Sequence, residues 1–166
     1  MALLCDQSEP NMRLVAGFVS ATDLYEKLKR DRDRLRSQVT PDAFFDFVVT
    51  AYSIFDWVDK DQSLPQAART EARNRVPYSD QVLKVCRDLA NSSKHFTLDR
   101  TVPITRDANA ESGFGVGRYG VGGFGVGESR IQIILNDGTT YEALAFSDAV
   151  VDAWRNFLNG HGVTVT

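Results

Sequence analysis

The chain has 166 residues, 43% of them hydrophobic and 25% charged, which places it with ordinary globular domains rather than with disordered or fibrous chains. A net charge of −3 excludes a surface that is basic throughout, so nucleic acid would have to be held by a local patch. The two cysteines, Cys5 and Cys86, are too few for a disulfide framework, no apolar run is long enough to span a membrane, and Met1–Asp6 lacks the basic start of a signal peptide. The composition therefore predicts a single domain, residues 1–166, in a reducing cytoplasm.

Leu14, Phe18, Ala21, Tyr25, Leu28 and Leu35 recur at helical spacing and predict an amphipathic helix from about Asn11 to Ser37. Its far end, Lys27 to Arg36, mixes both signs of charge and reads as a solvated face with local ion pairs. Thr40-Pro41-Asp42 is a helix start, with an N-cap hydroxyl, a proline at the first position and an acidic first turn. The helix that follows, to about Lys60, is apolar nearly all round. It should be central, with Phe45, Val48, Val49, Tyr52 and Phe55 in one core with Cys86 and Leu89. Asp42, Asp46, Thr50, Ser53 and Asp56 form its narrow polar strip, the sliver that reaches water.

Pro65 opens a short helix ending near Arg75, Pro77 breaks it, and Ser79-Asp80 starts the next helix. That fourth helix carries the one stretch whose side chains suggest chemistry. Arg87, Asn91 and Lys94 are spaced four and three apart and share a face; His95 is rotated from Lys94 by roughly 100°. Asp56 faces this stripe if the two helices are neighbours. After Phe96, Thr97 to Ile104 reads as a strand. Ile131–Leu135, the turn Asn136-Asp-Gly-Thr139 and Thr140–Leu144 form a β-hairpin signature. Ser147-Asp148 caps a last helix, with Val150, Ala153, Trp154, Phe157 and Leu158 inward and Gly160 at its end.

Residues 113–127 are three near-repeats of five, rich in glycine, with Phe114, Tyr119 and Phe124 at a regular step. Gly-x-Gly-x-x-Gly occurs twice, at Gly115-Gly117-Gly120 and Gly120-Gly122-Gly125. No strand opening into a helix surrounds it, so the match reflects low complexity rather than a dinucleotide site. The segment reads as a loop between two strands, whose aromatic residues are candidates for an oligomer contact.

Two histidines with no paired cysteine or histidine spacing give no metal site, and nothing implies a cofactor. No nucleophile elbow is visible. The chemistry that remains is an arginine followed by a histidine. An arginine can hold a phosphate while a histidine moves the proton at the 2′-hydroxyl or the leaving oxygen. The alternative is an internal polar network that orients core helices. Arg155-Asn156 with His161 is a second candidate, with five residues between Arg155 and His161.

The run from Phe44 through Asp56-Trp57, together with Leu89-Ala-Asn-Ser-Ser-Lys-His-Phe96, resembles uncharacterised bacterial proteins with a HEPN-like helical domain. The resemblance covers roughly residues 14–98. It implies an α-rich α+β fold: a helical bundle (11–98), a β region (99–145) holding the 113–127 insert, and a closing helix (147–159). It also implies homo-oligomers and a metal-independent RNA-binding or RNA-cleaving activity of the toxin or phage-defence kind. Arg87 and His95 would be the catalytic pair, with Asn91, Lys94 and Asp56 in support. Arg87 and His95 enclose seven residues, one more than the family signature holds. The residues also accommodate a non-catalytic module that oligomerises through its helices or the glycine-rich segment.

Overall fold

The structure is a computed structural model that describes residues 17–94, 102–113 and 128–166. Four helices come first: α1 (Ala21–Ser37), α2 (Pro41–Lys60), α3 (Gln66–Arg73) and, after a 3₁₀ turn at Val76–Ser79, α4 (Gln81–Lys94). Three antiparallel strands follow, β1 (Thr105–Gly113), β2 (Glu128–Leu135) and β3 (Thr140–Glu142), in the order β1-β2-β3, and α5 (Ala143–Gly160) closes the chain. The fold is thus mostly helical α+β, as the sequence predicts. No described helix is long and apolar enough to cross a membrane.

The central helix is α2, which packs against α1, α3, α4 and α5. Thr40 Oγ1 accepts from the Ala43 amide at 3.2 Å and Pro41 sits in the first turn, so α2 starts where its cap demands. Ala43, Phe44, Phe47, Val48, Ala51, Ile54, Phe55 and Val58 are its buried apolar residues. Phe45, expected inside, is 49% exposed; among consecutive phenylalanines, helical geometry turns Phe44 and Phe47 to the core and Phe45 away. Val49, Tyr52 and Leu89 are half-buried, while Val48, Phe55 and Cys86 are buried as expected. Thr50 is not part of the water-facing strip. It is buried, donating to Asp31 Oδ2 at 2.6 Å and accepting from Lys27 Nζ at 2.8 Å.

Helix α1 begins ten residues after the Asn11 expected from the apolar period. Gly17 takes a positive φ of 80°, and Ser20 and Asp23 form a reciprocal capping box that fixes the start. Phe18 still packs edge-on against Trp57, at 6.4 Å, from outside the helix. Leu14 lies outside the described residues.

The strand expected at 97–104 is displaced. Residues 102–104 are not strand, 97–101 lie outside the described residues, and β1 starts at Thr105. β1 is poor in β-formers, and pairing with the isoleucine-rich β2 decides its conformation. Gly113 pairs with Glu128, so the insert joins neighbouring strands; Phe114, Tyr119 and Phe124 lie outside the described residues. The β2–β3 turn is as predicted, with Gly138 at φ 87° and the Leu135 amide on the Thr139 carbonyl at 2.8 Å.

Helix α5 starts at Ala143, not after Ser147-Asp148. The Glu142 carboxylate caps it from the end of β3, and Ser147 is buried inside the helix, donating to the Leu144 carbonyl at 2.8 Å. Asp148 instead pairs with Arg36 at 2.6 Å. The α5 face buries Phe146, Val150, Val151, Trp154 and Leu158, and Trp154 donates its indole N–H to the Ala51 carbonyl at 3.1 Å. Phe55 stands edge-on to Trp154 at 4.6 Å and stacks on Tyr78 at 4.1 Å.

These contacts set the cost of truncation. Phe55→Ala should destabilise by about 3–5 kcal/mol, and Phe45→Ala by no more than about 0.5 kcal/mol, as read by chemical denaturation.

Candidate functional site

Asp80 caps α4, its carboxylate accepting from the Val82 amide at 2.9 Å. The helix then buries Leu83, Val85, Cys86 and Ala90. One residue on the buried side of this helix is charged: the Asp88 side chain is 1% exposed. Its Oδ1 accepts from Arg87 Nη2 at 2.8 Å and Nε at 3.2 Å. Its Oδ2 accepts from the Ile104 amide at 2.7 Å and the Thr105 amide at 3.3 Å. The carboxylate therefore holds the entry to β1 against α4.

Arg87 is 19% exposed and lies over the Tyr78 ring, its guanidinium carbon 5.2 Å from the centroid. Arg87 and Asn91 of the expected stripe share a face of α4, and the arginine is held by the residue beside it. Asp56, expected to face Arg87, is exposed and lines a cleft with Tyr52, Phe55, Asp59, Arg75 and Tyr78. Asp56 and Arg87 are brought near the same tyrosine, and the arginine takes Asp88 as its carboxylate. Asn91 is half-buried on α4. Lys94 ends the helix, and its side chain and all of His95 lie outside the described residues. Burial, with Tyr52 adding to it, pushes the Tyr78 hydroxyl well above the ordinary phenol range.

The second candidate is distributed among structural partners. Arg155 pairs with Asp152 at 2.8 Å, and Asn156 is exposed. His161 closes the end of α5, its Nδ1 2.7 Å from the Phe157 carbonyl and its Nε2 3.2 Å from Glu71 Oε2. It thereby ties α5 to α3. Arg155 and His161 share no partner among the described residues.

Sequence reading missed three features. Asp31 is a buried carboxylate joined to Lys27, Thr50 and Arg34 between α1 and α2. Asp61 accepts the first α1 amide, of Ala21, at 2.8 Å. Arg75 adopts a left-handed backbone, φ 59°. The signal for Asp31 was its place in the buried period of Leu24, Leu28 and Leu35; nothing local marks the other two. Among the described residues no three His, Cys, Asp or Glu side chains gather as a metal site.

No protein-family model, curated protein or solved structure matches this chain.

Two outcomes follow for α4. Removing the Asp88 carboxylate leaves Arg87 without its acceptor and two backbone amides unpaired, so Asp88→Ala should cost about 3–5 kcal/mol by denaturant titration. Cys86 is fully buried and burial pushes its thiol pKa up. In a Cys5→Ser background, a thiol reagent should modify Cys86 only at the rate of unfolding; rapid labelling of the native protein would contradict the burial.

Proposed function

We propose that the chain is a non-catalytic interaction module that oligomerises. The observation that carries this reading is the engagement of Arg87: Nε and Nη2 of its guanidinium both donate to Asp88 Oδ1, and Asp88 in turn holds the start of β1. A phosphate that took the Nε and Nη2 donors from Asp88 would leave a buried carboxylate short of its charge-bearing donor. His161 is likewise engaged, on Phe157 and Glu71. For association, β1 offers residues 106–111 exposed on both faces of the strand, a surface that the rest of the described chain does not cover. Edge strands of this length are pairing surfaces unless they are protected.

Light scattering at micromolar concentration should give a dimer or larger rather than an 18.5 kDa species. The wild type should leave RNA intact with or without EDTA, and Arg87→Ala should lower the melting temperature. A monomer would remove the oligomeric reading. RNA cleavage lost in His95→Ala with the fold intact would replace it by the HEPN-like ribonuclease reading.

A further inference from the structure

The cleft between α2, α3 and the Val76–Ser79 turn has a volume of about 110 Å³ and is open to solvent. Its lining is mostly polar: Phe55 and Ala72 are nearly buried beneath it, and its walls carry Tyr52, Tyr78 and four charged side chains. Two of the four are matched to each other: Arg73 Nε donates to Asp59 at 2.8 Å, and Lys60 also reaches Asp59 at 3.0 Å. Asp59 is accordingly held below the usual carboxylate range, first by Lys60 and then by Arg73. The other two, Asp56 and Arg75, have no ion-pair partner among the described residues. The cleft therefore presents one unmatched negative and one unmatched positive group.

Arg75 is unusual for a second reason. It is the one non-glycine residue at positive φ among the described residues, at φ 59°, ψ 27°, just past the end of α3. Its amide donates to the Ala72 carbonyl at 2.9 Å, and its carbonyl accepts from the Tyr78 amide at 3.0 Å, so the conformation is held from both sides. A left-handed residue after a helix is common, but glycine or asparagine is the residue that occupies it without strain. An arginine there is costly for stability. What it gains is position: the guanidinium carbon lies 5.9 Å from the Tyr78 ring centroid, at a cleft wall.

We propose that this cleft binds a small zwitterion of the α-amino-acid class, its carboxylate on the Arg75 guanidinium and its ammonium group on the Asp56 carboxylate. The volume suits a molecule of a few heavy atoms and is well below the ~300 Å³ of ordinary ligand pockets, which excludes a nucleotide lying wholly inside it. The charges choose within that size. An anion alone meets Asp56, a cation alone meets Arg75, and a zwitterion satisfies both. The Tyr52 and Tyr78 rings leave room beside the two charges for only a short carbon skeleton. This site is independent of the oligomeric reading.

The test is an NMR titration of the full chain with L-alanine, and separately with acetate and with methylammonium, on the wild type, Arg75→Gly and Asp56→Asn. L-alanine should produce saturable shifts at millimolar concentration that map to the cleft, and the single-charge probes should bind at least about tenfold more weakly. Both variants should lose about tenfold or more in affinity. Arg75→Gly should at the same time melt at or above the wild-type temperature, which separates a binding role from a structural one. Absence of saturable shifts, unchanged binding in Arg75→Gly, or acetate binding as tightly as L-alanine would each overturn the proposal.

Discussion

The join between the helical bundle and the sheet runs through one buried carboxylate. Asp88 sits on the core side of α4, where an unpaired charge would cost several kcal/mol after relaxation. It is kept there by two guanidinium donors on one oxygen and two backbone amides, of Ile104 and Thr105, on the other. Those amides belong to the stretch where the chain enters β1, so the same group that neutralises Arg87 also sets where the sheet begins. From Arg87 the contact continues over Tyr78, through the stacked ring of Phe55 and the edge of Trp154, to the Ala51 carbonyl at the middle of α2. A polar lock at the surface end and an aromatic chain at the core end are thus one continuous structure.

The same device recurs at two other junctions. Asp61, at the end of α2, accepts the first amide of α1, and also the amide and hydroxyl of Ser63. Asp31, buried in α1, binds Thr50 of α2 and draws Lys27 and Arg34 to it. Buried ion pairs add little net stability over apolar residues of equal size, but breaking one is costly. In each of these places the carboxylate binds a group on another element or at its start, which favours one arrangement of the helices over near alternatives.

Local chemistry was legible in the sequence and distant pairing was not. Thr40-Pro41, Asp80 and Asn136-Asp-Gly-Thr139 were readable because cap and turn residues act on amides within three positions of themselves. The expected start of α1 lies too early because Phe18 and Leu14 carry the apolar period back past the Ser20–Asp23 box, and Leu14 past Gly17 as well. The start of α5 was misread because Ser147-Asp148 has the composition of a cap while lying inside a helix that β3 feeds directly. β1 was missed because its own residues disfavour a strand. In the candidate site, spacing placed Arg87 and Asn91 on one face correctly. It could not reveal that Arg87 turns to Asp88, since the second half of that carboxylate's coordination comes from amides 16 and 17 residues away. The left-handed Arg75 has no signature in residue type at all.

Arg87 and Asp88 act as one structural unit rather than as a site with a spare guanidinium. A double-mutant cycle on unfolding free energy, with Arg87→Met, Asp88→Asn and both together, measures this directly. The expected coupling is about 1–3 kcal/mol, with the double variant less destabilised than the sum of the singles. Additivity to within about 0.5 kcal/mol, with Arg87→Met as stable as the wild type, would contradict it.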